Sequence, residues 1–383
     1  MVSFLLFFGA FLLSLATSLT TISLPLFLTS QRGAGPFLIG LTGFAWNFMG
    51  MIVLLATLRI SFLRKIPWFI FVPLLLGICY LAIPFVPTAA IFLLIIGATT
   101  CNARFWPSIE ACFRSGKDDE QELGTFNLCW PSGVIAGMVL AGILFARKPS
   151  LPFVVAATLP LLLFALFQTR RKELVRRFRE THHETFVARE SFPKRVKSGI
   201  RIMIFILAVQ LGSICSLYPR LAFDMKIRPE IIGILIGAYY AAQLLVYSLL
   251  RRRPLLSDGR VVFLCYAASA LCFLVFSIPR LPVPAVFHGA AIVIAGLAFG
   301  VAYHNSIHLH VHGGFATEIH EAIISAGAFI GALATGTLGE FFGLHFAFLA
   351  MGTVIVTGGW FFSGNEHNSG GTPAVTSSGT APS

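Results

Sequence analysis

Charge is what this chain of 383 residues most lacks: Asp, Glu, Lys and Arg together make up 11% of it. A soluble domain carries about 25%, so the sequence cannot coat a water-facing surface, and a single soluble core is excluded. Cysteine chemistry is equally thin. The seven cysteines sit in or beside apolar runs with no Cys-x-x-Cys or other ligand spacing, which reads as small apolar filler rather than disulfides or zinc. No P-loop, nucleophile elbow or His-Glu-x-x-His pattern occurs. No catalytic, metal or cofactor site is therefore assigned, and the chain does not read as an enzyme.

What is present is apolar. Hydrophobic residues make up 56% of the chain, with 38 Phe and 35 Gly, and the mean hydropathy is +0.84. A helix needs about 20 apolar residues to cross a bilayer. Twelve runs approach that length, at 3–29, 37–58, 67–86, 88–112, 123–146, 151–168, 200–219, 229–250, 260–278, 284–312, 318–342 and 343–363. The first lacks a basic n-region and is long for a signal-peptide core, so it is expected to be retained. Residues 364–383 are rich in Gly, Ser, Thr and Pro and read as a disordered tail.

The little charge there is leans positive, with 28 Lys and Arg against 16 Asp and Glu. In a soluble protein that balance would suggest nucleic acid. Here 20 of the 28 fall on one side of the alternating topology, seven on the other, and one, Arg104, inside the fourth run. Positive residues mark the cytoplasmic side, so both termini are expected there, in a multi-pass protein of a plasma or inner membrane with no nucleic-acid partner. Segment 169–199 holds 10 of the basic residues. It reads as a solvated linker touching anionic headgroups, with a regulatory role as the alternative.

The chain also repeats itself. Gly35-Pro36 through Trp46 matches Arg228-Pro229 through Tyr239 at an offset of 193, and Gly133 and Gly137 match Gly327 and Gly331 at 194. An even number of spans per copy makes the repeat parallel, about an axis along the membrane normal. The expected division is an N-terminal six-helix bundle at 1–168, the linker at 169–199, a C-terminal six-helix bundle at 200–363 and the tail.

Twelve helices in two parallel six-helix repeats with a basic central loop resemble the major facilitator superfamily. The loop 2–3 pattern of that superfamily survives as Arg64-Lys65, with Ile60 and Leu63 where its Asp and second Gly would stand; loop 8–9 keeps Ser257-Asp258-Gly259-Arg260. Trp130-Pro131-Ser132-Gly133 partly resembles its antiporter pattern, with Trp for the first Gly. These departures leave the subfamily unassigned. The resemblance implies an all-α membrane fold in which spans 1, 4, 7 and 10 line a cavity, spans 2, 5, 8 and 11 join the halves, and spans 3, 6, 9 and 12 face lipid. It also implies a secondary active transporter, here taken as a monomer, moving a small solute by alternating access. A non-transporting membrane sensor or assembly protein, or a His-metal membrane enzyme, are the alternatives.

Polar residues inside the runs supply the candidates. Asn102 and Arg104 on span 4, Thr20 on span 1, Gln210 on span 7, and Tyr303, His304 and Asn305 on span 10 are expected to bind solute. Arg104 is the sharpest, because a cation inside a membrane helix costs about 2.5–3.5 kcal/mol on insertion scales and needs a counter-charge, a wet cavity or an anionic ligand. The cavity reading makes the solute anionic or zwitterionic; the alternative makes Arg104 a structural partner for a carboxylate such as Glu110. Glu110 and Glu321 are candidates for coupling to protons or for gating, with helix capping as the alternative for Glu321. His304, His308 and His312 share one helical face, and His304 is a candidate proton relay. Small residues at four-residue spacing on spans 5 and 11 (Gly133, Gly137, Ala141; Gly327, Gly331, Thr335, Gly339) are expected at the sliding contacts between halves.

Overall fold

The computed structural model of the chain describes residues 2–60, 62, 65–113, 119–181, 194–250, 259–312 and 317–367. Arg64, Ser257, Asp258 and the tail from 368 onward lie outside them. The fold is all helix: α1 Val2–Arg32, α2 Pro36–Arg59, α3 Val72–Ala82, α4 Thr88–Glu110, α5 Asp119–Arg147, α6 Leu151–Thr169, α7 Arg171–Thr181, α8 Lys194–Asp224, α9 Pro229–Leu250, α10 Gly259–Phe276, α11 Pro284–His312, α12 Thr317–Phe342 and α13 Leu344–His367. Spans 1 to 6 are α1 to α6, and spans 7 to 12 are α8 to α13. Among the described residues nine helices are long and apolar enough to cross a bilayer, while the spans of α3, α10 and α13 are shorter apolar helices. Proline shortens α3: Pro84 sits in a 3-10 turn at Ile83–Phe85 where the α-helix gives out. Gly343, at φ +84°, takes the left-handed turn that separates α12 from α13.

Two boundaries differ from expectation. Helix α8 starts at Lys194 rather than 200, and α13 runs to His367, past the expected start of the tail. The linker also contains a structured element. In α7, Leu174 and Phe178 are buried, and the Phe178 ring lies 6.1 Å from Phe69. Arg177 reaches under the N-terminal half, donating to the Cys112 carbonyl (2.9 Å), Ser3 Oγ (2.8 Å) and Glu122 Oε2 (2.5 Å). This part of the linker is docked, because its apolar stripe has a hydrophobic floor to cover.

Helices α3, α6, α10 and α13 form the outside of the bundle. They present large apolar side chains outward, among them Leu75, Ile78, Leu162, Leu264 and Val354; in water this would be an untenable surface, and in a bilayer it is the expected one. The interior is tighter. Gly133 and Gly137 of α5 pack on the backbone of α1 at Phe11 and Leu15, and Gly327 and Gly331 of α12 pack on α8 at Phe205 and Val209. Each partner pair is again 194 residues apart, so the repeat extends to individual contacts. These glycines were expected between the halves; instead they fasten helices within one half. The seam between halves uses other small residues: a Cβ on Gly40 would stand 2.5 Å from the Ala332 carbonyl, and one on Gly233 would stand 2.5 Å from that of Met138.

Candidate functional site

Between the halves lies a cavity of about 380 Å³, within the usual range of small-molecule sites. Eight helices line it rather than the four expected, because α2, α5, α9 and α12 contribute Trp46, Trp130, Gln243 and Glu321 beside the residues of α1, α4, α8 and α11. None of the lining residues comes from α3, α6, α10 or α13. The cavity runs toward the side of the molecule that carries α7, here the linker side. On the opposite, far side, the halves are latched. Glu340 at the end of α12 accepts from the Phe37 amide at the start of α2 (3.0 Å), and Arg220 of α8 donates to the Ala34 carbonyl (2.5 Å) and to Asp224 (2.7 Å).

Five of the expected residues face this cavity: Thr20, Asn102, Glu110, Tyr303 and Glu321. Thr20 bonds back to the Ala16 carbonyl (3.4 Å), and Asn102 Oδ1 is buried with no hydrogen-bond partner among the described residues. Tyr303 donates to Glu321 Oε1 at 3.3 Å, and its ring lies 5.3 Å from that of Tyr247. Glu110 and Glu321 line the cavity from opposite halves.

Arg104 requires correction. It is not a lining residue; its guanidinium donates to Thr57 Oγ1 on α2 and lies 5.9 Å from the centre of the Trp68 ring. Helical geometry explains why. Asn102, Trp106 and Glu110 recur every four residues and share a face, whereas Arg104 is two residues from Asn102, or about 200° around the helix. Gln210, His304 and Asn305 also fall outside the lining. Gln210 is fully buried, with neither end of its amide partnered among the described residues, and His304 packs edge-on to Tyr247 at 5.9 Å. On α11 the cavity face is Phe299, Tyr303 and Ile307, and His304 and Asn305 turn away from it by about 100° and 200°.

The sequence reading missed a buried histidine. His320 is 1% exposed, lines the cavity, and shares a hydrogen with Ser306 Oγ through Nδ1 (2.7 Å). Its Nε2 stands 3.8 Å from Glu321 Oε1, its ring is 4.8 Å from Tyr303, and that of His310 is 5.5 Å away. The signal was present as Glu318-x-His320-Glu321, but it reads equally well as a helix cap. No group of three or more His, Cys, Asp or Glu that could hold a metal ion occurs among the described residues. Among the described residues the charged lining side chains are Glu110, Glu318 and Glu321, with His320 beside them, and no Lys or Arg.

The fold is a two-half helical bundle with a largely apolar cavity between its halves. The sequence model of the Major Facilitator Superfamily matches residues 6–313, and the chain belongs to that superfamily. Solved structures agree in fold. A mutant form of the nucleoside transporter NupG is similar at 14% identity and TM-score 0.75, covering 95% of this chain and 99% of that one. A bacterial homologue of the human lysosomal transporter Spinster, inward-facing and occupied, is 14% identical with TM-score 0.69, covering 97% and 98%. A mutant form of the peptide transporter POT is 14% identical with TM-score 0.73, covering 96% and 94%. No curated protein matches by sequence.

Proposed function

We propose that the protein is a secondary active transporter that moves one small solute per cycle by alternating access of the central cavity. The observation that carries this reading is the cavity itself, about 380 Å³ of space between two six-helix halves; a sensor or assembly protein has no need to keep that volume unfilled. Thr20, Asn102 and Tyr303 contact the solute in this reading, and Glu110 and Glu321 gate the linker side or carry a coupled proton. The anionic or zwitterionic solute expected from Arg104 loses its ground, because that side chain is turned away from the cavity; the lining suits a neutral or positively charged solute. Gln210, His304 and Asn305 act as buried support behind the wall.

Orientation follows from the 20 of 28 basic residues on one side, which puts the linker side and both termini in the cytoplasm. The exposed residues Arg171, Lys172, Arg176 and Arg179 of α7 face anionic headgroups there, and the protein works as a monomer. Reconstitution tests the central reading. Proteoliposomes holding the purified chain are expected to accumulate a solute against a gradient when a proton gradient is applied, and a Glu321→Gln, Glu110→Gln double variant is expected to lose accumulation. Uptake and accumulation unaffected by that double variant would remove the coupling role.

A further inference from the structure

The cavity is acidic, aromatic and devoid of basic side chains among its described lining residues, and these three facts together select a ligand class. This inference rests on the transporter reading for its location and adds the chemistry of what is carried. Trp106, Trp130 and Tyr303 follow one another along the wall, with ring centres 6.3 Å apart for Trp106 and Trp130 and 6.4 Å for Trp130 and Tyr303. The second pair spans the two halves, α5 to α11. Glu110 lies one helical turn beyond Trp106, and Glu321 is bonded to Tyr303. Aromatic faces carry negative potential and attract a cation over the ring, most strongly when it is desolvated. A carboxylate inside a membrane protein calls for a counter-charge, and beside Glu321 the described lining offers only the His320 imidazole, with Nε2 3.8 Å away.

Two residues of the wall also bury polar atoms that make no hydrogen bond among the described residues. His320, 1% exposed, has no hydrogen-bond partner for Nε2 among the described residues, and Gln243, 4% exposed, has none for Oε1; both line the cavity. A bare metal ion fits less well, since the described residues offer no cluster of three His, Cys, Asp or Glu ligands, and a volume near 380 Å³ suits a body of about one ring with an amine.

We propose that the cavity binds a monovalent organic cation, a protonated or quaternary amine on an apolar body, with Glu321 as its counter-ion and Trp106, Trp130 and Tyr303 as its cage. Tyr303 and His320 position the Glu321 carboxylate, and Glu110 approaches from the other half when the linker side closes.

The test uses the purified full-length protein and three probes of like size: phenyltrimethylammonium, its neutral isostere tert-butylbenzene, and benzoate. Binding is read by tryptophan fluorescence and by thermal stabilisation, which reports affinity for the folded state. The cation is expected to bind at least tenfold more tightly than either of the others. Glu321→Gln is expected to weaken it at least tenfold and Trp130→Leu several-fold, while Arg104→Gln stays within twofold of the parent. Benzoate binding as well as the cation, no binding of the cation, or a Glu321→Gln protein of unchanged melting temperature that binds it within twofold would each overturn the proposal. The three-probe comparison needs no variant, so a poorly folding mutant leaves it decidable. Cation binding without uptake in proteoliposomes would defeat the transporter reading alone; uptake of another solute without cation binding would defeat this proposal alone.

Discussion

The two ends of the seam between the halves are built on opposite principles. At the far side the contacts are attractive: Glu340 accepts from the Phe37 amide, Arg220 holds the Ala34 carbonyl, and Gly40 and Gly233 let backbones meet. At the linker side each half brings a carboxylate to the cavity, Glu110 on α4 and Glu321 on α12. One end is held shut by complementary groups, while the other gathers acidic side chains whose charge a cation or proton would offset. A carrier needs that asymmetry, since a cycle requires an empty cavity to resist closing on itself and a loaded one to permit it.

The largest effect should come from steric damage to the far-side seam. A Gly40→Leu side chain would have to enter space where a Cβ alone is 2.5 Å from the Ala332 carbonyl, and overpacking of a tight interior costs about 1–3 kcal/mol. The halves then cannot meet at that end. Transport should fall more than tenfold, while a Thr42→Cys reporter becomes labelled by an impermeant maleimide from the far side. A variant that transports normally and leaves Thr42→Cys protected removes the seam from the cycle. Gly233→Leu, its repeat equivalent, should behave alike, which distinguishes a shared seam from a local defect.

Next in size is the linker-side pair. Glu110→Gln removes one of the two carboxylates at the mouth, and like unit charges in contact range repel by about 1–4 kcal/mol between water and a surface-like dielectric. The empty protein should then close its linker side more readily, seen as several-fold faster far-side labelling of Thr42→Cys with no substrate present. Labelling unchanged from the parent would mean that the two carboxylates do not hold the mouth apart. The far-side latch should matter less. Glu340 is exposed, so its interaction with the α2 N-terminus is worth about 0.3–1 kcal/mol, and Glu340→Gln should raise far-side labelling about two- to fivefold. An effect above tenfold would show that the latch, rather than the glycine seam, controls that gate.

How much of this was readable beforehand depended on the kind of information. Apolar run length located the spans, and the 193–194 offset located the repeat, because both depend on the chain alone. The contacts of Gly133 and Gly327 did not follow. A small residue says that a backbone comes close, but not which one, and α1 and α8 won over the opposite half because they lie within the same six-helix unit. For α4 the depth of its polar residues was readable and their direction was as well, since counting around the helix separates Arg104 from Asn102, Trp106 and Glu110. What counting could not supply is the neighbour. Thr57 and Trp68 lie far from Arg104 in sequence, and only packing brings their hydroxyl and ring face to the guanidinium.

Arg104 therefore separates structural from functional charge in this molecule and should produce the smallest functional change. Its partners on α2 and before α3 belong to the same half, so they move with it as the halves rock, and its charge is met equally in every state of the cycle. An interaction that is the same in all states shifts no equilibrium between them. Arg104→Gln should lower the melting temperature, in line with about 1.5–3 kcal/mol for a lost hydrogen bond to a charged group, while uptake per folded molecule and far-side labelling stay within twofold. A Thr57→Val variant should reproduce part of that loss of stability, because it removes the same contact from the other side. Loss of uptake with an unchanged melting temperature would return Arg104 to the cavity and restore an anion as the solute.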